Sequence, residues 1–202
     1  MRKAILGALS PLAFLAASCG SQAQADKSAS GTENPERRDG FTITDLARFE
    51  SPWALAFLPG RPDVLVTERT GALKLWREGA EPQVVGGTSK VDAGGQGGLG
   101  DVAPAPDFAT SGTIYLTWAE AGPGDTRGAA LGKARLVLDQ GAPRLDGLQV
   151  IWRQAPKVSG RGHFGHRIAF APDGKSLFLS SGERQKFTPA QDIGTTWARS
   201  CT

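Results

Sequence analysis

Along the chain from residue 41, apolar residues come in short β-branched and aromatic runs, each closed by Gly, Pro, Asp or Asn, with no sustained helical period. This pattern predicts an all-β chain. Strands are expected over residues 41–49, 53–58, 64–68, 72–76, 113–118, 129–138, 148–153, 167–171 and 177–181. Arg69-Thr70-Gly71 is expected to turn one strand into the next as a hairpin.

A repeat organises these runs. Ala54-Leu55-Ala56-Phe57-Leu58-Pro59-Gly60 precedes Val64-Leu65-Val66-Thr67, Val102-Ala103-Pro104-Ala105-Pro106-Asp107 precedes Ile114-Tyr115-Leu116-Thr117, and Ile168-Ala169-Phe170-Ala171-Pro172-Asp173-Gly174 precedes Leu177-Phe178-Leu179-Ser180. Each unit reads as strand, proline turn, strand. The aligned prolines Pro59, Pro106 and Pro172 lie 47 and 66 residues apart, which suits a four-stranded β-propeller blade with variable loops. Proline presets φ and Asp-Gly supplies the positive φ of a turn, so the repeat has a local cause. Unrelated hairpins in a β-sandwich are the other reading. At roughly 45 residues per blade, residues 41–202 make only three to four blades, short of a closed ring. An open set of blades leaves an apolar flank and unpaired edges in water.

Composition narrows the class. The 27 Gly and 13 Pro among 202 residues make the chain turn-rich without low-complexity character. No run beyond residue 25 nears the roughly 18 apolar positions of a membrane span, which excludes a polytopic membrane protein. The net charge of +3 includes Arg2 and Lys3; without them 21 basic residues face 20 acidic ones, and no nucleic-acid partner is expected. Of the two cysteines, Cys19 lies near the start and Cys201 next to the end, so neither a disulfide framework nor a thiolate metal site is available.

Residues 1–25 combine a basic start, an apolar stretch from Ala4 to Ala17 and then small residues, the layout of a secretory signal. Ala23-Gln24-Ala25 fits ordinary cleavage, whereas Ala16-Ala17-Ser18-Cys19 resembles a bacterial lipobox with Cys19 lipidated. Residues 26–40 are polar and read as a flexible linker, followed by the folded domain at 41–196. The expected location is the periplasm, with a lipid anchor at the outer membrane under the lipobox reading.

Two glycine-rich segments carry candidate chemistry. Gly94-Gly95-Gln96-Gly97-Gly98 lets backbone approach a ligand closely and presents the Gln96 amide; the simpler reading is a turn. It is no phosphate loop, because no Gly-Lys-Ser/Thr follows. Ser159-Gly160-Arg161-Gly162-His163-Phe164-Gly165-His166-Arg167 holds both histidines of the chain. A glycine-flanked His163 ahead of a strand is within reach of substrate and can act as a general base near neutral pH; a surface-loop histidine is the alternative. His163 and His166 are three apart with no completing ligands, which argues against a metal site.

Taken in order, Pro52-Trp53-Ala54-Leu55-Ala56-Phe57-Leu58-Pro59, Leu65-Val66-Thr67-Glu68-Arg69, Gly95-Gln96-Gly97-Gly98-Leu99, Asp101-Val102-Ala103, Pro106-Asp107-Phe108, Gly162-His163-Phe164-Gly165, Arg167-Ile168-Ala169-Phe170 and Ala190-Gln191-Asp192 resemble the soluble PQQ-dependent sugar dehydrogenases, also called glucose/sorbosone dehydrogenases. The resemblance implies a six-bladed β-propeller of which this chain covers roughly the first three blades. It implies oxidation of the C1 hydroxyl of aldose sugars to lactones, with PQQ and Ca²⁺ as cofactors. On this resemblance His163 is the catalytic base, Gln96 is the substrate-side amide, and Arg167 ties the loop structurally. His166 stands where the family has small residues, and Pro104-Ala105 replaces Leu-His. Cofactor-gripping Lys and Arg residues and the carbonyls that hold Ca²⁺ are implied in later blades, so no cofactor or metal ligand is named in this chain. The resemblance leaves the electron acceptor and a homodimer of the full-length protein open.

Past Thr196 the family continues with a Leu-Gly-Lys-like strand, whereas residues 197–202 read Trp-Ala-Arg-Ser-Cys-Thr. Trp is encoded only by TGG and Ala begins GC, so one restored base before Trp197 gives Leu, Met or Val followed by Gly. An out-of-frame tail after a single-base deletion is therefore expected, to be checked by resequencing that stretch. The truncated form is expected to be inactive and prone to aggregation. The rival from another class is a non-catalytic β-propeller module that binds partners in the cell envelope, with both glycine-rich loops as scaffold turns.

Overall fold

The computed structural model describes residues 36–38, 40–139, 141–192, 194, 196 and 199–201. The signal at 1–25 with Cys19, linker residues 26–35 and tail residues 197, 198 and 202 lie outside the described residues. Within the expected linker, β1 (Glu36–Arg38) pairs antiparallel with β2 (Phe41–Ile43). The strand expected over 41–49 stops at Ile43, followed by irregular backbone to Phe49.

Three antiparallel meanders follow. The first sheet is β3 (Pro52–Phe57), β4 (Val64–Glu68), β5 (Leu73–Trp76) and β6 (Gln83–Val85), in that order. The second is β7 (Leu99–Pro104), β8 (Thr113–Ala121), β9 (Arg127–Val137) and β10 (Arg144–Arg153), with the single helical turn α1 (Phe108–Ser111) between β7 and β8. The third is β11 (Gly165–Phe170), β12 (Leu177–Ser181) and β13 (Arg199–Cys201), so three residues of the expected tail pair with β12. The first strands lie side by side, β3 against β7 and β7 against β11, as the inner strands of neighbouring propeller blades do.

The proline repeat is one turn made three times. The residue before each proline, Leu58, Ala105 or Ala171, donates its N–H across the turn to Asp63 O, Thr113 O or Ser176 O at 2.9–3.0 Å. Its carbonyl accepts from the residue three further on, Arg61, Phe108 or Gly174. A second device recurs between sheets. Thr67 Oγ1 accepts from Ala54 N (3.0 Å) and donates to Gly100 O (2.7 Å) on the next inner strand. Thr117 Oγ1 accepts from Asp101 N (2.8 Å) and donates to His166 O (3.0 Å) on the strand after that. Ser180 Oγ takes the equivalent bond from Arg167 N (3.0 Å). Each threonine hydroxyl bonds main-chain groups of two sheets at once, which sets the register of one sheet on the next, whereas the Ser180 bond joins β11 and β12 within the third sheet.

Strand alternation divides the core. One cluster, with Leu65, Leu73, Leu99, Leu116 and Trp118, fills the space between the first and second sheets; a second, with Leu131, Ile168 and Leu179, fills that between the second and third, and a small third one joins Ala119 and Ala129 to Phe164. The outer face of β3 is bare: Trp53 is 48% exposed, Leu55 54% and Phe57 74%. A contiguous apolar strand face in water marks a surface built to be covered.

Candidate active site

The site forms where loops from the second and third sheets meet above the inner strands. Its first part is the glycine-rich loop of residues 94–98. Gly95, at φ 60°, leaves a virtual Cβ only 2.6 Å from Arg161 O, so the loop backbone lies directly on the loop that carries His163. The close approach that these glycines permit therefore serves contact with the chain itself. Gln96 N donates to Arg161 O (2.8 Å), and Gln96 Oε1 accepts from His163 N (2.8 Å). The two expected site residues, 67 apart in sequence, are joined directly.

His163 occupies left-handed backbone at φ 47°, a conformation that costs a non-glycine residue free energy and places its half-exposed ring at the rim. Its Nδ1 is hydrogen-bonded to Glu183 Oε1. Glu183 follows the end of β12, and its Oε2 accepts from Lys186 N (2.6 Å) and Phe187 N (2.9 Å). The His163 hydrogen bond first, and then the Phe187 N–H, hold the Glu183 carboxyl down at about 2. A carboxylate fixed in this way makes Nδ1 the protonated nitrogen and leaves the Nε2 lone pair to act as base. Gly182 allows the pairing, since a Cβ there would sit 2.0 Å from His163 O.

Next to His163 runs a stack. Phe164, 2% exposed, packs against the His166 ring (centroids 5.6 Å apart, 16° between planes) and the Arg184 guanidinium (3.8 Å from its centroid). Asp92 supports the glycine loop by accepting from Gly94 N (3.0 Å) and from Arg127 Nε. Arg127 Nη2 also pairs with Asp125 (2.7 Å). Arg167, with its side chain 78% exposed, brings Nη1 to 3.6 Å from Asp101 Oδ1, and Asp101 Oδ2 accepts from Ile168 N (2.8 Å).

His166 is 3% exposed and neither ring nitrogen has a partner. Burial first, and then the Arg184 charge, push the imidazole down to about 4, from an ordinary value of 6.5. The unfolded chain then binds the extra proton between those values, so stability falls as pH drops from 6.5 to 4, by about 3 kcal/mol. Urea titrations at pH 7 and pH 4.5 should show this acid loss, and His166→Leu should remove most of it. An unchanged acid limb in the variant would assign the loss to other groups.

Glu183 and Arg184 escaped the sequence reading. They stand in Ser181-Gly182-Glu183-Arg184-Gln185-Lys186, where a charged pair after a strand reads as an exposed turn. The signal available was the strand ending in glycine ahead of an acid, which brings a carboxylate to the level where the preceding strand begins.

The glucose / sorbosone dehydrogenase family pattern matches residues 49–198. Aldose sugar dehydrogenase YliI of Escherichia coli (strain K12) is 41% identical over 148 residues, covering 72% of this chain and 39% of that protein. A crystal structure of a glucose dehydrogenase superposes with TM-score 0.71 at 43% identity over 75% of this chain and 43% of the other. The PQQ-bound form of aldose sugar dehydrogenase from Streptomyces coelicolor superposes with TM-score 0.69 at 26% identity over 78% of this chain and 46% of the other. The chain thus spans about two fifths of the curated relative just named. With its meander sheets, its paired glycine loops and this match over most of its length, the chain belongs to the glucose/sorbosone dehydrogenase family.

Proposed function

We propose that the chain is the N-terminal part of a six-bladed, PQQ-dependent enzyme that oxidises the C1 hydroxyl of aldose sugars to lactones. The observation that carries this reading is a half-exposed His163 with Nδ1 held by Glu183 and its backbone held by Gln96. An alcohol oxidation needs a base for the hydroxyl proton and an acceptor for the hydride. His163 Nε2 takes the proton, and the resulting imidazolium is stabilised by the adjoining Glu183 carboxylate. Glu183 keeps its charge throughout, because its carboxyl is held far below neutral pH. PQQ, when bound, accepts the hydride that no side chain can.

The residues present fit the base side of such a cofactor. Gln96 is exposed beside His163, and its amide Nε2 takes no part in the described hydrogen bonds, leaving a donor for a sugar hydroxyl or a quinone oxygen. Arg161, about half exposed on the Gly94-Gly95 backbone and 3.6 Å from Asp92, brings a cation to the contact between the two loops and suits a cofactor carboxylate. Among the described residues no group of three or more His, Cys, Asp or Glu is placed to hold a cation. The proposal assigns Ca²⁺ and the remaining cofactor contacts to further blades, packed on the bare face of β3 and on the third sheet. By itself the chain is proposed to be inactive. The N-terminal pattern supports export to the periplasm, with lipid anchoring through Cys19 under the lipobox reading.

The test joins residues 41–196 to the C-terminal blades of the E. coli relative and supplies PQQ and Ca²⁺. Aldose-dependent reduction of a dye is expected from the chimera, and none from the chain alone. A folded chimera that binds PQQ without oxidising any aldose, or that gives no spectral change with PQQ, would instead support the envelope-binding module.

A further inference from the structure

Arg184 touches nothing that reacts, yet among the described residues it is the cation most fully withdrawn from water, at 0% exposure. None of the hydrogen bonds from its side chain goes to a carboxylate. Nε donates to Gly162 O (2.9 Å), Nη2 to Gly160 O (2.6 Å) and Nη1 to Arg127 O (2.6 Å) on β9. Its backbone N–H also donates to His163 O (3.2 Å), and its guanidinium lies over the Phe164 ring. Burying a cation with no carboxylate in hydrogen-bond contact is costly, and here carbonyl dipoles, an aromatic face and the more distant Asp92 and Glu183 charges offset it.

The position of those carbonyls supplies the reason. Gly160 and Gly162 flank Arg161, whose carbonyl receives the Gln96 N–H, and Gly162 precedes His163. Without a fixed point, this glycine-rich stretch has wide conformational freedom. We propose that Arg184 is the positioning residue of the base: its planar fork ties the His163 loop to β9, so that the ring stays on Glu183 with Nε2 presented outward. This rests on the reading of His163 as the base. The adjacent residues divide the work, Glu183 gripping the ring and Arg184 the main chain on both sides of it. Lysine carries the same charge but cannot reach three divergent carbonyls in one plane.

The histidine count makes the test direct, because the chain has only two, His163 and His166. Nitrogen-15 NMR of histidine-labelled full chain, without PQQ or sugar, reads the His163 tautomer. The parent is expected to show a protonated Nδ1 and a bare Nε2, and Glu183→Gln should weaken that preference. Arg184→Lys and Arg184→Met are expected to lower the Nδ1-H to Nε2-H ratio by about tenfold, the scale of one lost hydrogen bond, while thermal melting shows a folded chain. A folded Arg184 variant with the parent's tautomer ratio overturns the proposal. So does failure of both variants to fold, which would make Arg184 a residue of the fold and not of the base. The measurement needs no turnover, so the sugar-oxidation reading and this one can fail separately.

Discussion

His163→Ala, introduced into the chimera with the remaining blades and loaded with PQQ, is expected to lower kcat/KM for an aldose by about 10²- to 10⁴-fold, the usual contribution of a positioned general base. The fold should tolerate the change, since the ring is about half exposed and its side-chain contact is with a carboxylate that keeps two backbone N–H partners. Glu183→Gln should cost less than His163→Ala but still roughly tenfold or more, because a neutral amide neither fixes the tautomer nor stabilises the imidazolium. Steady-state rates of dye reduction, with melting curves for each variant, check both. A His163→Ala chimera that keeps more than half its activity would remove His163 from the reaction.

Trp118→Ala is expected to cost about 3–5 kcal/mol of stability, the range for emptying a buried aromatic site. Trp118 is 0% exposed near the end of β8, in the cluster between the first two sheets. Across the sheet Gly132 makes room for it, since a Cβ there would meet the ring at 2.8 Å. The surrounding strands are held by ladder bonds on both sides and cannot collapse into the space. Trp118→Phe should cost much less, because most of the volume stays and an indole N–H without a partner is removed. Urea unfolding of the chain measures both changes. A loss under about 1 kcal/mol for the alanine variant would show that this cluster does not hold the two sheets together.

Structure is most legible in this sequence where it depends on neighbours along the chain. The turns at Pro59, Pro106 and Pro172 are set by φ restriction and local hydrogen bonds, and the same bonds occur in all three. The runs 64–68 and 177–181 coincide with β4 and β12, because each opens on three consecutive large apolar residues just after a turn that fixes where the strand begins. Where burial is partial the pattern weakened. β6 carries a single buried residue, Val85, and went unseen, and β7 was recognised only as the start of the second repeat, without full bounds. The stretch 41–49 looked like one strand on composition, but only its first residues have a partner strand.

At the site, His163 and Gln96 could be named from the order of motifs, and the glycine loops suggested close packing without showing what packs there. That Gln96 Oε1 holds the His163 backbone, and that Arg161 fills the space above Gly94 and Gly95, follows only from the second and third sheets lying side by side.

By itself, therefore, the sequence determined the all-β class, the repeated strand-turn-strand unit, the resemblance to a sugar dehydrogenase family and a candidate base, His163, with a candidate amide, Gln96. Each of these is written in residues a few positions apart, or in the order of motifs along the chain. Tertiary structure alone decided the partners of the base. Glu183 and Arg184 reach it only after β11 and β12 fold back on each other, and from sequence a Glu-Arg pair beyond a strand has the composition of any solvated turn. What turns Arg184 into a grip on the backbone beside the ring is burial between two sheets, where an unpaired carbonyl would cost too much to leave unanswered, while the partly exposed Glu183 carboxylate is held by the His163 ring and two backbone N–H groups.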